Sequence, residues 1–171
     1  MDTVISSISI SQLLQHSNSK WVTRERPKID RIACPWLIRR FIDPRAEFLY
    51  VPAAQVLAVA KAGQAIPYDV PDVQFSHRGE LCSFDAFLAD FALDDPALAG
   101  LARIVRGADT GKPELTPQSP GLLAVSAGLS INYPDDHAML EHGMIVYDAL
   151  YAWICGARAE IHTADLFRKQ A

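Results

Sequence analysis

The sequence predicts a mainly helical α+β domain with a small antiparallel sheet. Three observations carry this. Helix-period apolar spacing dominates from Pro52 onward, with capping residues at several starts. The strand-like runs are few and short: Trp21-Val-Thr-Arg, Phe48-Leu-Tyr-Val, Ala65–Val70 and Val73–His77. Half of the 171 residues are hydrophobic and 21% are charged, an ordinary globular balance that can bury one core.

Taken in order, residues 1–19 read as a leader or linker, and 20–171 as a single domain. Asp30 to Ile42 reads as helical, with Pro35 inside it. Because proline lacks an amide donor, the regular helix either begins near Cys34 or bends there. Pro52 opens a helix through Ala62 that Gly63 ends. Pro71 separates the third and fourth strand runs and restricts them to sheet edges.

Ser83 reads as the N-cap of a helix over Phe84–Leu93, with Asp85 in its first turn. Asp95-Pro96 starts another helix, ending near Arg106-Gly107. A turn-rich loop covers Ala108 to Pro120, and Gly121–Leu129 is helical. Asp135 or Asp136 caps the clearest helix, which runs to about Cys155, and a short helix or frayed tail follows.

Composition excludes several function classes. The net charge of −4 argues against a whole-surface nucleic-acid binder, and no helix-turn-helix signal is visible, so no stable DNA binding by this chain alone is expected. Three cysteines without CxxC spacing form neither a disulfide framework nor a zinc finger. They suit a reducing compartment. With no signal-peptide core and no membrane-length apolar run, the expected location is cytoplasmic. No Walker loop, Rossmann glycine pattern, HExxH or GxSxG is present.

Three constellations could carry chemistry. Along the helix after Pro134, Leu140, Met144, Tyr147, Tyr151 and Ile154 form an apolar stripe, with His137, Glu141 and Asp148 on its flank. His137 and Glu141 are one turn apart, which suits chelation of one ion or a plain surface hydrogen bond. Asp148 lies two further turns on, too far to join the same ion directly, and reads as an additional site residue or as holding Tyr147's neighbourhood or an arginine.

The second constellation is His77-Arg-Gly-Glu-Leu-Cys82-Ser-Phe-Asp85. Here Cys82 precedes a helix start, where a thiol pKa falls and anions gather, or it is a small buried hydrophobe. The third is the basic opening. Eight of the sixteen Lys and Arg residues lie between Lys20 and Arg45, against three acids. Arg24, Arg26 and Lys28 could grip an oxyanion, or form a solvated or salt-bridged face. Asp30 is placed as a cap or a carboxylate ligand, and Cys34 as a low-pKa thiol or soft ligand. Arg31 beside Asp30 reads as a structural clamp.

Trp21-Val-Thr-Arg-Glu-Arg-Pro-Lys-Ile-Asp-Arg-Ile-Ala-Cys-Pro-Trp-Leu-Ile-Arg-Arg-Phe-Ile-Asp resembles the opening signature of the ChrB-type chromate-resistance domain. Phe75-Ser-His-Arg-Gly, Cys82-Ser-Phe-Asp85, Gly107-Ala-Asp, Asp135-Asp-His-Ala-Met-Leu-Glu and Tyr147-Asp-Ala-Leu-Tyr-Ala-Trp153 resemble its other marks. The resemblance spans about residues 21–155. It implies a role beside chromate efflux systems, as a sensor or stress-response module. It also implies that a DNA-reading N-terminal part, found in longer regulators, is absent here.

The leading expectation is a metal ion or small oxyanion bound where His77, His137 and Glu141 converge, with Asp30, Cys34, Cys82 or Asp148 as additional site residues. Zinc, iron or manganese suits those ligand types. The rival expectation is a metal-dependent enzyme, redox or hydrolytic, using the same His/Glu site.

Overall fold

The computed structural model describes residues 18–157. Most of the expected leader and the expected C-terminal helix or tail lie outside that range. Strand β1 spans Lys20–Arg24, β2 Glu47–Val51 and β3 Ile66–Pro67. Helix α1 spans Asp30–Leu37 and widens into a π-helical turn over Ile38–Ile42. Helix α2 spans Val56–Gly63, α3 Ser83–Asp90, α4 Pro96–Asp109, α5 Ser119–Asn132 and α6 Asp136–Ala152, with a π-helical turn Trp153–Ala157 after it. Among the described residues no helix is long and apolar enough to cross a membrane.

The mainly helical reading holds, but the sheet is parallel, not antiparallel. Its order is β2-β1-β3, and both pairings of β1 are parallel, with Trp21 opposite Phe48 and Ile66. The reason is the connections. α1 separates β1 from β2, and α2 separates β2 from β3; a helical crossover returns the chain to the end of the sheet where the previous strand began and so makes strands parallel. A parallel sheet is covered on both faces. Trp21 enters the main core beside Phe75 and Phe87, with ring centroids 5.4 Å away in each case. The next residue, Val22, enters a second cluster with Val56, Ala60, Ala65 and Val70. The expected strand Val73–His77 is reduced to one bridge, Tyr68 with Phe75.

Several boundaries differ from expectation, each for a local reason. The helical segment does run from Asp30 to Ile42, and of the two alternatives for Pro35 the start near Cys34 is not the one seen. Pro35 leaves the Arg31 carbonyl without its helical donor, and the Tyr50 hydroxyl donates to that carbonyl at 3.1 Å. Gly63 stays helical, and Gln64 takes the left-handed cap at φ 51°. Cys82, not Ser83, is the N-cap of α3, with its amide donating to Asp85 Oδ2 at 3.0 Å. Asp95 and Asp135 cap α4 and α6 with their side chains, as their positions predict. α4 runs on past Gly107, so Asp109 ends it.

Helices α1 and α6 approach closely at Gly143, where a Cβ would lie 2.7 Å from Ile32 Cγ2. Trp36 donates its indole N–H to Asp148 Oδ1 at 2.7 Å across the same seam.

Candidate functional site

In a parallel sheet the loops leaving the C-terminal strand ends converge where the strand order reverses. Here β1 is central, its crossover leads to β2 on one side, and β3 lies on the other. The loop after β1 carries Asp30, and the segment after β3 carries Asp69 and His77. Ser83 begins α3 and Asp109 ends α4 at the same place.

The backbone is bent to reach it. Ile29 sits at φ 40°, ψ −100°, a costly conformation for a β-branched residue. Its carbonyl accepts from the Ile32 and Ala33 amides and from the Tyr147 hydroxyl at 3.0 Å, and its amide donates to Ser126 Oγ at 3.4 Å. This clamp aims Asp30. Asp69 lies at φ 51°, which aspartate tolerates better than most residues.

His77 Nε2 lies 3.5 Å from Asp30 Oδ2, 3.5 Å from Asp69 Oδ1 and 3.0 Å from Asp109 Oδ2. Asp30 is fully buried, Asp69 nearly so, and His77 is 41% exposed, so the site opens to solvent at the imidazole. Ser83 donates its amide to Asp30 Oδ2 at 2.5 Å and its hydroxyl to Asp69 Oδ1 at 2.8 Å. Arg24 Nη2 donates to Asp69 Oδ2 at 2.9 Å, and Arg31 Nε lies 3.4 Å from the same oxygen. Asp30 Oδ1 is buried with no hydrogen-bond partner.

Charge follows this geometry. Hydrogen bonds to Asp30 and Asp69, with the Asp109 charge, hold His77 as imidazolium, its pKa raised to about 10 against the pull of burial. Burial raises the Asp30 carboxyl, and the nearby Asp69 charge adds to it, while His77 opposes both. Burial alone would raise Asp69; hydrogen bonds from His77, Ser83 and Arg24 outweigh it and keep its pKa low. Asp109 rises to about 7, through burial first and then the charges of Asp30 and Asp69. Three carboxyls around one imidazole therefore cannot all carry charge easily, and added positive charge relieves them.

The expected convergence of His77, His137 and Glu141 is not what the fold builds. Among the described residues, Asp30, Asp69 and His77 are the group whose ligand atoms lie within 4.8 Å of one another. His137 packs edge-on against the Tyr50 ring, centroids 5.6 Å apart. Glu141 pairs with Arg39 at 2.7 Å. Asp148 pairs with Arg40 at 2.6 Å, the arginine-holding alternative. All three lie on α6, whose inner face packs on α1 rather than on the strand ends.

Both candidate thiols, Cys34 and Cys82, are buried, and burial followed by nearby carboxylates pushes their pKa values up. The low-pKa expectation fails because both thiols are buried, and the Asp30 charge adds to the effect at each. Of the expected anion grip, Arg24 is engaged by Asp69. Arg26 donates to the Pro134 carbonyl at 2.6 Å and to the Ser130 carbonyl at 2.5 Å, and its amide to Asp136. It fastens the β1–α1 loop to the α5–α6 junction. Lys28 is exposed.

Sequence reasoning missed Asp69, Asp109 and Ser83 as site residues. The available signal was position: Asp69 follows a strand end, and Asp109 follows Gly107 at a helix end. Gly107 is needed there, since a Cβ would lie 2.3 Å from Ser119 Oγ.

A family model described as the ChrB C-terminal domain matches residues 21–154. Among curated proteins, Protein ChrB of Cupriavidus metallidurans is 37% identical over 145 residues, covering 84% of this chain and 43% of that protein. The chain thus spans less than half the length of this relative. No solved structure matches.

Proposed function

This chain belongs to the ChrB C-terminal domain family, a family associated with chromate resistance, and from that premise we propose that it is a sensor or stress-response domain built around a divalent cation. Asp30, Asp69, Asp109 and His77 would hold the ion. The observation that carries this reading is the cluster itself: Asp30, Asp69 and His77 bring their ligand atoms within 4.8 Å of one another, Asp109 Oδ2 lies 3.0 Å from the same imidazole, and the fully buried Asp30 carboxyl keeps one oxygen, Oδ1, without a hydrogen-bond partner. A buried carboxylate oxygen without a donor is costly, and a cation satisfies it. Oxygen donors with one nitrogen suit manganese or iron, and zinc also accepts such sets.

A bare oxyanion at these residues would meet three carboxyls, so the cation is favoured over direct anion binding. The bound cation would take the place of the His77 proton, since a ligating imidazole is neutral. Arg24 and Arg31 then brace Asp69 from behind, as outer partners do in metal sites. A link to a chromate efflux system, and the absence of stable DNA binding by this chain alone, belong to the same proposal.

One observation favours a second reading. The exposure of His77 leaves one side of the site open to water or a small substrate, as a metal-dependent enzyme requires. Elemental analysis of the purified chain, with calorimetric titration of Mn(II), Fe(II) and Zn(II), tests the site. One equivalent bound by the wild type and none by Asp30→Asn is the expected result. No metal in the protein and no binding in titration would rule the cation out. Turnover by the metal-loaded chain would decide for the enzyme over the sensor.

A further inference from the structure

We propose that Ser83 is the positioning residue of this cation site, holding the oxygens of Asp30 and Asp69 that face His77. The inference rests on the cation reading above.

Asp30 and Asp69 arrive from different loops, one after β1 and one after β3. The Asp69 backbone is fixed by its amide donating to the Phe75 carbonyl at 2.9 Å, but no backbone bond joins Asp69 to Asp30, so a common reference aligns the two carboxylates. Ser83 touches one oxygen of each. It is fully buried, and as the first residue of α3 its amide has no helical acceptor. That amide donates to Asp30 Oδ2, the oxygen that lies 3.5 Å from His77 Nε2. Its hydroxyl donates to Asp69 Oδ1.

The second carboxylate completes the argument. Asp69 Oδ2 is covered by Arg24 and Arg31, so Oδ1 is the oxygen facing His77 and the candidate ion. The Ser83 hydroxyl fixes the rotation of this carboxylate while leaving Oδ1 lone-pair capacity for a metal. The Cys82–Asp85 capping contact and the Arg106–Asp85 pair hold the start of α3, so the reference point is itself rigid. Outer partners of this kind change metal affinity by roughly 10–100-fold when removed.

The experiment uses the full chain with Mn(II) alone as probe, reading affinity and the electron paramagnetic resonance spectrum of the bound ion. Ser83→Ala keeps the amide bond to Asp30 and deletes only the hydroxyl. It is expected to weaken Mn(II) binding by about 10-fold or more and to alter the bound-ion spectrum. Ser83→Cys, which keeps the side-chain size with a poor donor, is expected to do the same and serves if the alanine variant folds badly. A purely structural role would lower the melting temperature and leave both affinity and spectrum unchanged. That result would overturn the role of Ser83 while the cation reading stood. Absence of Mn(II) binding by the wild type, when Zn(II) and Fe(II) also fail to bind, would overturn both.

Discussion

Asp85 and Arg106 form a two-pronged ion pair, Nε to Oδ2 at 2.8 Å and Nη2 to Oδ1 at 2.6 Å. The pair locks α3 to α4 three residues before Asp109, so it lies one helical turn from the candidate site. Asp85 is almost buried and also accepts the Cys82 amide.

Arg106→Ala should therefore destabilise the chain by roughly 2–3 kcal/mol, because it removes both charge-assisted hydrogen bonds to a nearly buried carboxylate and leaves only the Cys82 contacts. The same truncation at Arg78, whose pair with Asp90 is more exposed, should cost less than about 1 kcal/mol. Urea unfolding of both variants checks this. Equal losses would show that burial is not what sets the strength of the Asp85 pair.

Gly143→Ala should cost about 1–3 kcal/mol, because the added methyl meets the branched Ile32 side chain in the α1–α6 seam. At Gly128 on α5 an added methyl would meet nothing within 4 Å. Gly128→Ala should therefore leave stability unchanged or raise it by up to about 1 kcal/mol. Thermal melting of the two variants reads the contrast, and a stabilised Gly143→Ala would refute the close approach.

Pro35 and Tyr50 should be energetically coupled. With Pro35 present, Tyr50→Phe strands the Arg31 carbonyl and should cost about 1 kcal/mol. Pro35→Ala restores an amide that can reach the same carbonyl, so Tyr50→Phe in that background should cost less. A double-mutant cycle measures the difference, and additivity would mean that the hydroxyl is not the carbonyl's substitute donor.

Thiol reactivity should single out Cys155. Cys34 and Cys82 are buried and their pKa values are raised, so the thiolate fraction at pH 8 is small and shielded; Cys155 is exposed. A colorimetric thiol reagent should label one cysteine per native chain and three in denaturant. Fast labelling of Cys82 in the native protein would contradict its burial. The sign is fixed by cause: burial and adjacent carboxylates disfavour the thiolate, so reactivity of both inner thiols rises only at alkaline pH.

Much of the local structure is legible in the sequence, because it depends on near neighbours along the chain. Asp95 and Asp135 cap their helices through amides two and three residues away. Trp21 and Phe48 lie in strands, and Leu140, Met144 and Tyr147 face the core, as their spacing requires. The opening signature from Trp21 to Asp43 identifies the family on its own, and Asp30 and His77 stand out as candidate site residues.

Tertiary structure alone decided the rest. The direction of the sheet depends on how α1 and α2 cross between strands, which no residue pattern within a strand records. The partners of His77 are Asp30, Asp69 and Asp109, 47, 8 and 32 residues away in sequence, brought together at one end of the sheet. His137 and Glu141 share one helical face by periodicity, but that face packs beside Tyr50 and Arg39. Helical spacing fixes which residues are neighbours on one element; only the packing of separate elements fixes what that face meets, because that depends on contacts between distant parts of the chain.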